Sequence, residues 1–497
     1  MSESSVPASA HDHISLEEVL DRRSRRLRAL VLLLSVGISI GLVIFAFTRL
    51  VPPRPYGLAD DFRVFYAAAK LLAAGRNPYQ PGALQHMEQA AELYRLDRLQ
   101  PTFDTFAYLP VTALLLVPLT GLGFWPAYAL FTATGLVALA LVAGLLGRDL
   151  GWRRLGGLEL GVVASWIVVL GLTSGQFDAL MFAAVGGAML LAWHERPLPA
   201  GLVMGLVWVK PDLLWPAPVL LFLVLLGQRT QAWRFAAGFA ATSAVCLSLY
   251  PELISSWWTE VLSFGASVAR QQPDLAGLPS LAGAAPASWG LQTGLLAPGA
   301  LALGCLALVS IGVFSIWMMT STDWARVSQV GRISWGVGLP LAIWLAATPY
   351  AHPNDDVLLL PLFMLTVGRD ARRIHGQGLG LALIVVIWLL LIWPSGVVPW
   401  TVGLGALALL SLGLWHWRTD ERLTGFGAGL CLLSLAILPA VWPFHVLRVG
   451  LTPIAVLILV VEGARTCWME VGGAGTGPAY VTEAQPEATI ASSAVGG

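Results

Sequence analysis

The sequence predicts an all-α fold, a polytopic bundle of transmembrane helices. Hydrophobic residues make up 57% of the 497 residues, charged residues make up 12%, and the mean hydropathy is +0.73. A soluble domain of this length needs more charge to cover its surface. The 21 Trp and 52 Gly residues fit the interfacial aromatic belts and the close helix packing of membrane bundles.

Charge and cysteine content exclude two other classes. The formal net charge is +0, so the sequence predicts no nucleic-acid partner. The cysteines are scattered and have no CxxC spacing, which supports neither a disulfide framework nor a zinc site. They are Cys246, Cys305, Cys431 and Cys467.

The N-terminal tail, residues 1–28, ends in a run of arginines directly before the apolar stretch Ala29 to Val51. This basic flank predicts a cytoplasmic N-terminus. The apolar stretch is too long for the hydrophobic part of a signal peptide, so we expect it to stay as the first membrane span. The chain from Pro52 onward then emerges on the extracytoplasmic side.

The segment Phe106 to Leu122 decides the side on which every later connector lies. We expect this segment to be re-entrant or to lie on the surface, because all the basic connectors then fall in the cytoplasm. To keep all the basic connectors on the cytoplasmic side, residues 198–226 must also form a hairpin with its apex at Lys210-Pro211-Asp212. The chain then has about 12–14 spans of ~20 residues. The basic connectors carry Arg148, Arg153, Arg154, Arg196, Arg229, Arg234, Arg326, Arg332, Arg369, Arg372, Arg373, Arg418 and Arg422.

This pattern divides the chain into a cytoplasmic basic tail (1–28), a membrane domain (29–465) and a disordered C-terminal tail (466–497) rich in Gly, Ala, Thr, Glu and Ser. Residues 52–122 form an extracytoplasmic insert within the membrane domain. We expect short surface helices over Ala67 to Ala74 and Leu84 to Leu96, separated by a turn.

Two adjacent carboxylates, Asp60 and Asp61, open the polar insert, whereas most other acidic residues lie in tails or beside basic partners. Paired carboxylates at a membrane surface suggest acid or base chemistry. A solvated loop pair, or an N-cap for the following helix, is the alternative interpretation.

Several motifs give the sequence a family resemblance. They are Asp61-Phe62-x-x-Phe65-Tyr66, Gly75-x-Asn77-Pro78-Tyr79, Phe106-x-Tyr108-x-Pro110, Gly175-Gln176, Lys210-Pro211 and Pro349-Tyr350-Ala351-His352. In these motifs the chain resembles glycosyltransferase family 87 of the GT-C superfamily, from about Ala29 to Asp356. The departures are Leu109, where the family often has a proline, and Asp178, where a polar amide is common.

The resemblance implies a GT-C-like membrane enzyme that transfers mannose or a related sugar from a polyprenyl-phosphate carrier. The phosphate leaving group needs little protonation, so one carboxylate is enough to act as general base on the acceptor hydroxyl. Asp61 is the candidate base and Asp60 the second catalytic candidate. We expect the anomeric configuration to invert. We expect the enzyme to be integral to the plasma (inner) membrane, with its active site and its glycolipid or glycan acceptor on the extracytoplasmic side.

The remaining candidates are assigned to binding. Lys210, Arg63 and His352 are basic residues expected at the donor phosphate. Polar residues expected to contact substrate are Tyr66, Asn77, Tyr79, Gln176 and Asp178. The alternatives are an ion pair or a snorkelling anchor for Lys210, an interfacial role for His352, and capping of a span by Gln176 and Asp178.

No cofactor is predicted. Asp355 and Asp356 have oxygen ligands that suit a divalent cation, but two carboxylates alone also fit helix capping. The alternative functions are a secondary transporter or flippase for lipid-linked saccharides and a non-catalytic assembly protein. Transporters usually show paired halves and broken helices at the midplane. In this sequence the polar groups gather in loops on one face, which favours the enzyme.

Overall fold

The computed structural model describes residues 59–91, 106–149, 174–260, 296–322 and 327–348. It also describes the shorter stretches 168, 171–172, 324, 357–359, 361–362, 459–461, 463–464, 467–468 and 471. The regular elements in these ranges are helices, with no strand, so the all-α class is confirmed for the described part of the chain. The first predicted span, the N-terminal tail and most of the chain after Leu362, including most of the C-terminal tail, lie outside the described residues.

The α-helices of the described ranges are numbered in chain order. They are α1 Asp60–Ala73, α2 Ala83–Ala90, α3 Pro110–Leu114, α4 Phe124–Asp149, α5 Asp178–Trp193, α6 Pro197–Met204, α7 Pro211–Leu214, α8 Pro216–Leu225, α9 Arg229–Ser248, α10 Pro251–Glu260, α11 Leu296–Thr320 and α12 Gln329–Ala347. Two 3₁₀ helices, Val117–Gly121 and Gly205–Val209, lie between them.

One helix among the described residues, α4, is long and apolar enough to cross a membrane. A second candidate arises only if α9 and α10, which are bent by 85° at their junction, form one broken span. The outer face of α4 exposes large apolar side chains, including Trp125, Val137 and Leu141. Such a face suits contact with lipid. The described residues therefore contain one clear candidate span.

The first helix of the insert is a core helix. It begins at Asp60, earlier than the sequence pattern indicated, and it buries Phe62, Phe65 and the run Ala67–Ala69. The expected position at the surface is wrong for α1. Its aromatic face packs into the bundle, and its small alanine side chains allow neighbouring segments to pack closely against it. The second insert helix is shorter than the predicted segment and ends at Ala90.

The helices within the segment 106–122 are too short to cross a membrane. It forms α3 and the 3₁₀ helix Val117–Gly121, each of 5 residues and each with a proline at its start. A span needs about 20 residues. This geometry agrees with the sequence-based view that the segment does not cross.

The chain reverses at Lys210, as the sequence predicted. Helices α6 and α9 run side by side in the same direction: a Cβ on Gly201 would lie 2.0 Å from the carbonyl oxygen of Phe235, and one on Gly205 would lie 2.3 Å from Thr242 Cβ. Only glycine permits such an approach. Because α6 and α9 start at the same end, the intervening residues 211–225 must run back from Lys210 to that end.

The described helices therefore have two distinct ends. We call one the Arg148 end, where Arg148, His194, Arg196, Arg229 and Arg332 lie. His194 binds Asp149 there, and Gln329 Nε2 donates to the carbonyl oxygen of Ala192 over 3.1 Å. The other we call the Asp61 end, formed by the start of α1, residues 106–109, residues 174–178, Lys210 and α10. The 16 residues of α5 separate the ends by about 24 Å.

Candidate active site

The two predicted catalytic residues, Asp60 and Asp61, are the first two residues of α1. Ala59 occupies the N-cap position with a φ of 66°, in the left-handed region, and no side chain caps this helix start. Asp60 and Asp61 are therefore helical residues and not the N-cap. Negative charge in the first turn of a helix is stabilised by the helix dipole. The side chain of Asp61 is half-buried.

An aromatic cluster holds α1 in place. Phe62 contacts Phe131, with ring centroids 5.1 Å apart, and Phe65 contacts Tyr108 at 4.8 Å and Phe177 at 5.1 Å. Both phenylalanines of α1 are buried. Each such pair adds about 0.5–1.5 kcal/mol beyond the burial of area. Asp61 therefore belongs to a helix whose position is fixed by several rings.

Gly175 places the loop 175–178 directly against α1. The amide of Gly175 donates to the carbonyl oxygen of Leu172 over 3.2 Å, and the amide of Gln176 donates to the carbonyl oxygen of Gly171 over 2.9 Å. This is the pattern of a Schellman motif, which ends a helix. Gly175 has a φ of +78°, and a Cβ there would lie 2.4 Å from the Cβ of Phe62. Both the backbone angle and the contact require glycine.

Lys210 and Asp178 form a buried ion pair. Lys210 Nζ lies 2.8 Å from Asp178 Oδ1, and the side chains are only 4% and 2% exposed. Asp178 is the first residue of α5, where the helix dipole favours its charge. The hairpin thus brings Lys210, at its apex, against the first residue of α5.

A chain of hydrogen bonds links the insert to the same loop. Tyr79 Oη donates to the carbonyl oxygen of Tyr108 over 2.5 Å, and Tyr108 Oη donates to Gln176 Oε1 over 3.3 Å. Burial first, and then the charge of Glu260, raise the pKa of Tyr79 above its ordinary value. Tyr79 is therefore a neutral hydrogen-bond donor under ordinary conditions.

The other insert candidates have partners within the protein. Tyr66 Oη donates to the carbonyl oxygen of Leu122 over 2.6 Å, and burial raises its pKa. Asn77 Oδ1 accepts a hydrogen bond from the amide of Tyr79 over 2.9 Å. Arg63 Nε lies 3.5 Å from Glu88 Oε1, an ion pair longer than an ordinary hydrogen bond. These contacts give Tyr66, Asn77 and Arg63 roles in holding the insert together.

The structure thus gathers most of the sequence-based candidates at one end. Asp61, Arg63 and Tyr66 share α1, while Gln176 and Asp178 follow Gly175 in the adjoining loop. His352, Asp355 and Asp356 lie outside the described residues. No group of three or more His, Cys, Asp or Glu side chains suited to a metal ion occurs among the residues that the structure describes.

An apolar groove lies next to Lys210. Its volume is about 410 Å³. It runs between the second half of the Lys210 hairpin and α9, and it is open toward the outside. The lining residues are Val207, Trp208, Pro211, Trp215, Pro218, Val219, Phe222, Phe235, Ala236 and Phe239.

Sequence reasoning missed some partners that shape this end. Glu88 faces Arg63, and Thr112 Oγ1 donates to the carbonyl oxygen of Val209 over 3.1 Å, just before Lys210. Trp257 donates from Nε1 to the carbonyl oxygen of Ala107 over 3.1 Å. These partners are far apart in the chain, so no local pattern reveals them.

The comparison with known families bears on this geometry. Residues 106–335 match the model of glycosyltransferase family 87. The matched family is the one that the sequence motifs resemble, and the match indicates a glycosyltransferase of a family whose members are membrane proteins. It includes Tyr108, Gln176, Asp178 and Lys210, whereas α1 with Asp61 precedes it. No curated protein and no solved structure matches the chain.

Proposed function

We propose that the protein is a multi-pass membrane glycosyltransferase that moves a sugar, mannose or a related hexose or pentose, from a polyprenyl-phosphate carrier to a glycolipid or glycan acceptor. The observation that carries the proposal is the packing of α1 on the part of the chain that matches the family. Phe65 contacts Phe106, Tyr108 and Phe177, all within residues 106–335. Asp61 thereby joins the family-matched residues at one end of the bundle.

In the proposed reaction, Asp61 acts as the general base. Its carboxylate takes the proton from the acceptor hydroxyl while the hydroxyl oxygen attacks the anomeric carbon of the donor sugar. The bond from that carbon to the phosphate oxygen breaks, and its electron pair leaves with the polyprenyl phosphate. Attack opposite the leaving group inverts the anomeric configuration. Asp60, in the same helix turn, is the second carboxylate of the proposed site.

Lys210 is the proposed binding residue for the donor phosphate. An ammonium group has three N–H donors, so its pairing with Asp178 is compatible with a second anionic partner. Asp178 and Gln176 then orient the lysine and the substrate. Arg63, which pairs with Glu88, and His352 are the further basic residues proposed for the donor.

The groove beside Lys210 supports a lipid-linked donor. Pro211, the residue after Lys210, contributes to its lining, and the other lining side chains are almost all apolar. An isoprenoid chain in this groove would bring its phosphate toward Lys210. We propose that no metal is required, because the leaving phosphate meets positive charge from the protein itself.

The proposed location is the plasma (inner) membrane, with the Arg148 end in the cytoplasm and the Asp61 end outside. The collection of arginines at one end supports this orientation through the positive-inside rule. We propose that residues 29–465 form the GT-C-like catalytic unit of about 12–14 spans. The tails 1–28 and 466–497 flank it.

The experiment that tests the donor class uses the full-length protein purified into lipid nanodiscs. Transfer of radiolabelled mannose to membrane glycolipids is measured from polyprenyl-phosphate mannose and, in parallel, from a nucleotide-linked mannose. We expect product only from the lipid-linked donor. Product only from the nucleotide sugar would refute the proposal. Movement of lipid-linked saccharide across proteoliposomes without any transfer would instead identify a flippase.

A further inference from the structure

A second cavity at the Asp61 end has a polar and aromatic lining. It has a volume of about 310 Å³. This is at the lower end of the range for ligand pockets, about 300–1,000 Å³. It lies between the turn after α1 and the end of α10. Its lining residues are Pro78, Tyr79, Gln80, Pro81, Gly82, Phe106 and Glu260.

The chemistry of this lining suits an uncharged, hydroxyl-rich ligand. The carboxylate of Glu260 only accepts hydrogen bonds when it is ionised, and the amide of Gln80 both accepts and donates. The rings of Tyr79 and Phe106, with centroids 5.6 Å apart, supply an apolar wall on which the C–H face of a sugar ring can pack. The negative charge of Glu260 disfavours a phosphate, so the donor headgroup is a poor ligand for this cavity.

The cavity is built on the same contacts that hold the proposed active site. Tyr79 donates to the carbonyl oxygen of Tyr108, and Tyr108 donates to Gln176. On the opposite wall, Trp257 donates to the carbonyl oxygen of Ala107 and so attaches α10 to the residue next to Tyr108. Glu260 follows Trp257 by one helical turn, which puts both residues on one face of α10.

We propose that this cavity binds a sugar ring of the glycosyl acceptor, with Glu260 accepting hydrogen bonds from its hydroxyl groups. The proposal rests on the proposed function, because it assigns the acceptor side of that reaction. Glu260 is thus a substrate-binding residue that holds the acceptor ring, while Asp61 takes the proton. The donor phosphate binds elsewhere, at Lys210.

The test compares Glu260→Gln with Glu252→Gln in full-length protein in nanodiscs. Glu252 is an exposed residue on the same helix and is absent from the cavity lining, so it is the matched control. We expect Glu260→Gln to raise the acceptor KM about tenfold or more, the size of a lost hydrogen bond to a charged group. The donor KM and the slow hydrolysis of donor by water stay unchanged. Glu252→Gln behaves as wild type.

A second readout does not depend on transfer. Saturation-transfer NMR with methyl α-mannopyranoside detects contact of the glycoside with wild type and with Glu252→Gln, and the signal falls in Glu260→Gln. If Glu260→Gln does not fold, Gln80→Ala replaces it, with a smaller expected rise in the acceptor KM, about 2- to 10-fold, because the Gln80 amide is uncharged. Absence of transfer by wild type from every donor refutes the proposed function, while the NMR result still decides the cavity.

Three results would overturn the acceptor assignment. They are an unchanged acceptor KM in Glu260→Gln, a raised donor KM in that variant, and equal NMR signals in wild type and Glu260→Gln.

Discussion

The two ends of the bundle each carry an aspartate with basic partners, but in opposite environments. At the Asp61 end, Lys210 and Asp178 are 4% and 2% exposed. At the Arg148 end, Asp149 binds Arg148 and His194, whose side chains are 44% and 53% exposed. An exposed ion pair is screened by water and contributes little. A buried pair is costly to form and gives little net stability. The buried pair therefore calls for a functional explanation, which the proposed donor site provides.

The ends also differ in what surrounds the charges. The Asp61 end is lined with aromatic rings and tyrosine hydroxyls that hydrogen-bond to backbone carbonyls, as Tyr66 and Tyr79 do. The Arg148 end presents arginines at helix ends. This difference supports the proposals that substrate binds at the first end and that the second end faces the cytoplasm.

The largest expected effect on stability comes from breaking the buried pair. Lys210→Met leaves the Asp178 carboxylate buried without this cation, and Asp178→Asn leaves the ammonium without this anion. We expect each single variant to lose about 3–5 kcal/mol of stability and the double variant to recover much of it. Thermal unfolding in detergent checks the cycle. If His194→Ala lowers the stability as much as Lys210→Met does, the contrast between the two ends is contradicted.

A smaller effect is expected from Gly175→Ala compared with Gly75→Ala. Both glycines have a positive φ, +78° and +68°, but only a Cβ at position 175 meets another atom, 2.4 Å from Phe62 Cβ. The shared backbone strain costs about 1–2 kcal/mol. Gly175→Ala also displaces α1, so we expect it to reduce transfer per folded molecule. Equal transfer by the two variants would show that the contact with Phe62 does not position Asp61.

The smallest effect concerns alkaline pH. Because burial and Glu260 raise the pKa of Tyr79 in the folded state, its contribution to stability is complete below the unfolded pKa of about 10 and is lost as the pH rises beyond that value. We expect Tyr79→Phe to cost about 0.5–1.5 kcal/mol at pH 8. Between pH 9 and 11 the stability of the variant falls less steeply than that of wild type. The free energy of unfolding of both proteins is measured across this range. The same pH dependence in wild type and Tyr79→Phe would show that Tyr79 is not the cause of the loss.

The sequence predicted the helical class, the reversal at Lys210 and the grouping of basic residues because each depends on local composition. Runs of apolar residues, a proline beside a lysine, and arginines between apolar runs are readable without knowing the fold. The high glycine content likewise indicated close helix packing, which the structure shows where Gly201 and Gly205 meet Phe235 and Thr242.

The partners of the charged residues were beyond such reasoning. Lys210 binds Asp178, which lies 32 residues earlier, because the fold joins positions that are distant along the chain. Arg63 similarly finds Glu88 across the turn between two insert helices. The alanine-rich part of α1 gave no sign of burial, since alanine is equally common on surfaces and in close helix contacts.

The central claim is that the chemistry occurs at the Asp61 end, and the most direct measurement is the transfer rate of Asp61→Asn beside that of Asp149→Asn. Both are isosteric changes that remove one carboxylate charge. Each rate is normalised to the amount of folded protein and measured with saturating polyprenyl-phosphate mannose.

We predict that Asp61→Asn loses about 10²–10⁴-fold in rate, the usual contribution of a general base, while Asp149→Asn keeps the wild-type rate. A wild-type rate for Asp61→Asn, or the same loss in both variants, would contradict the account.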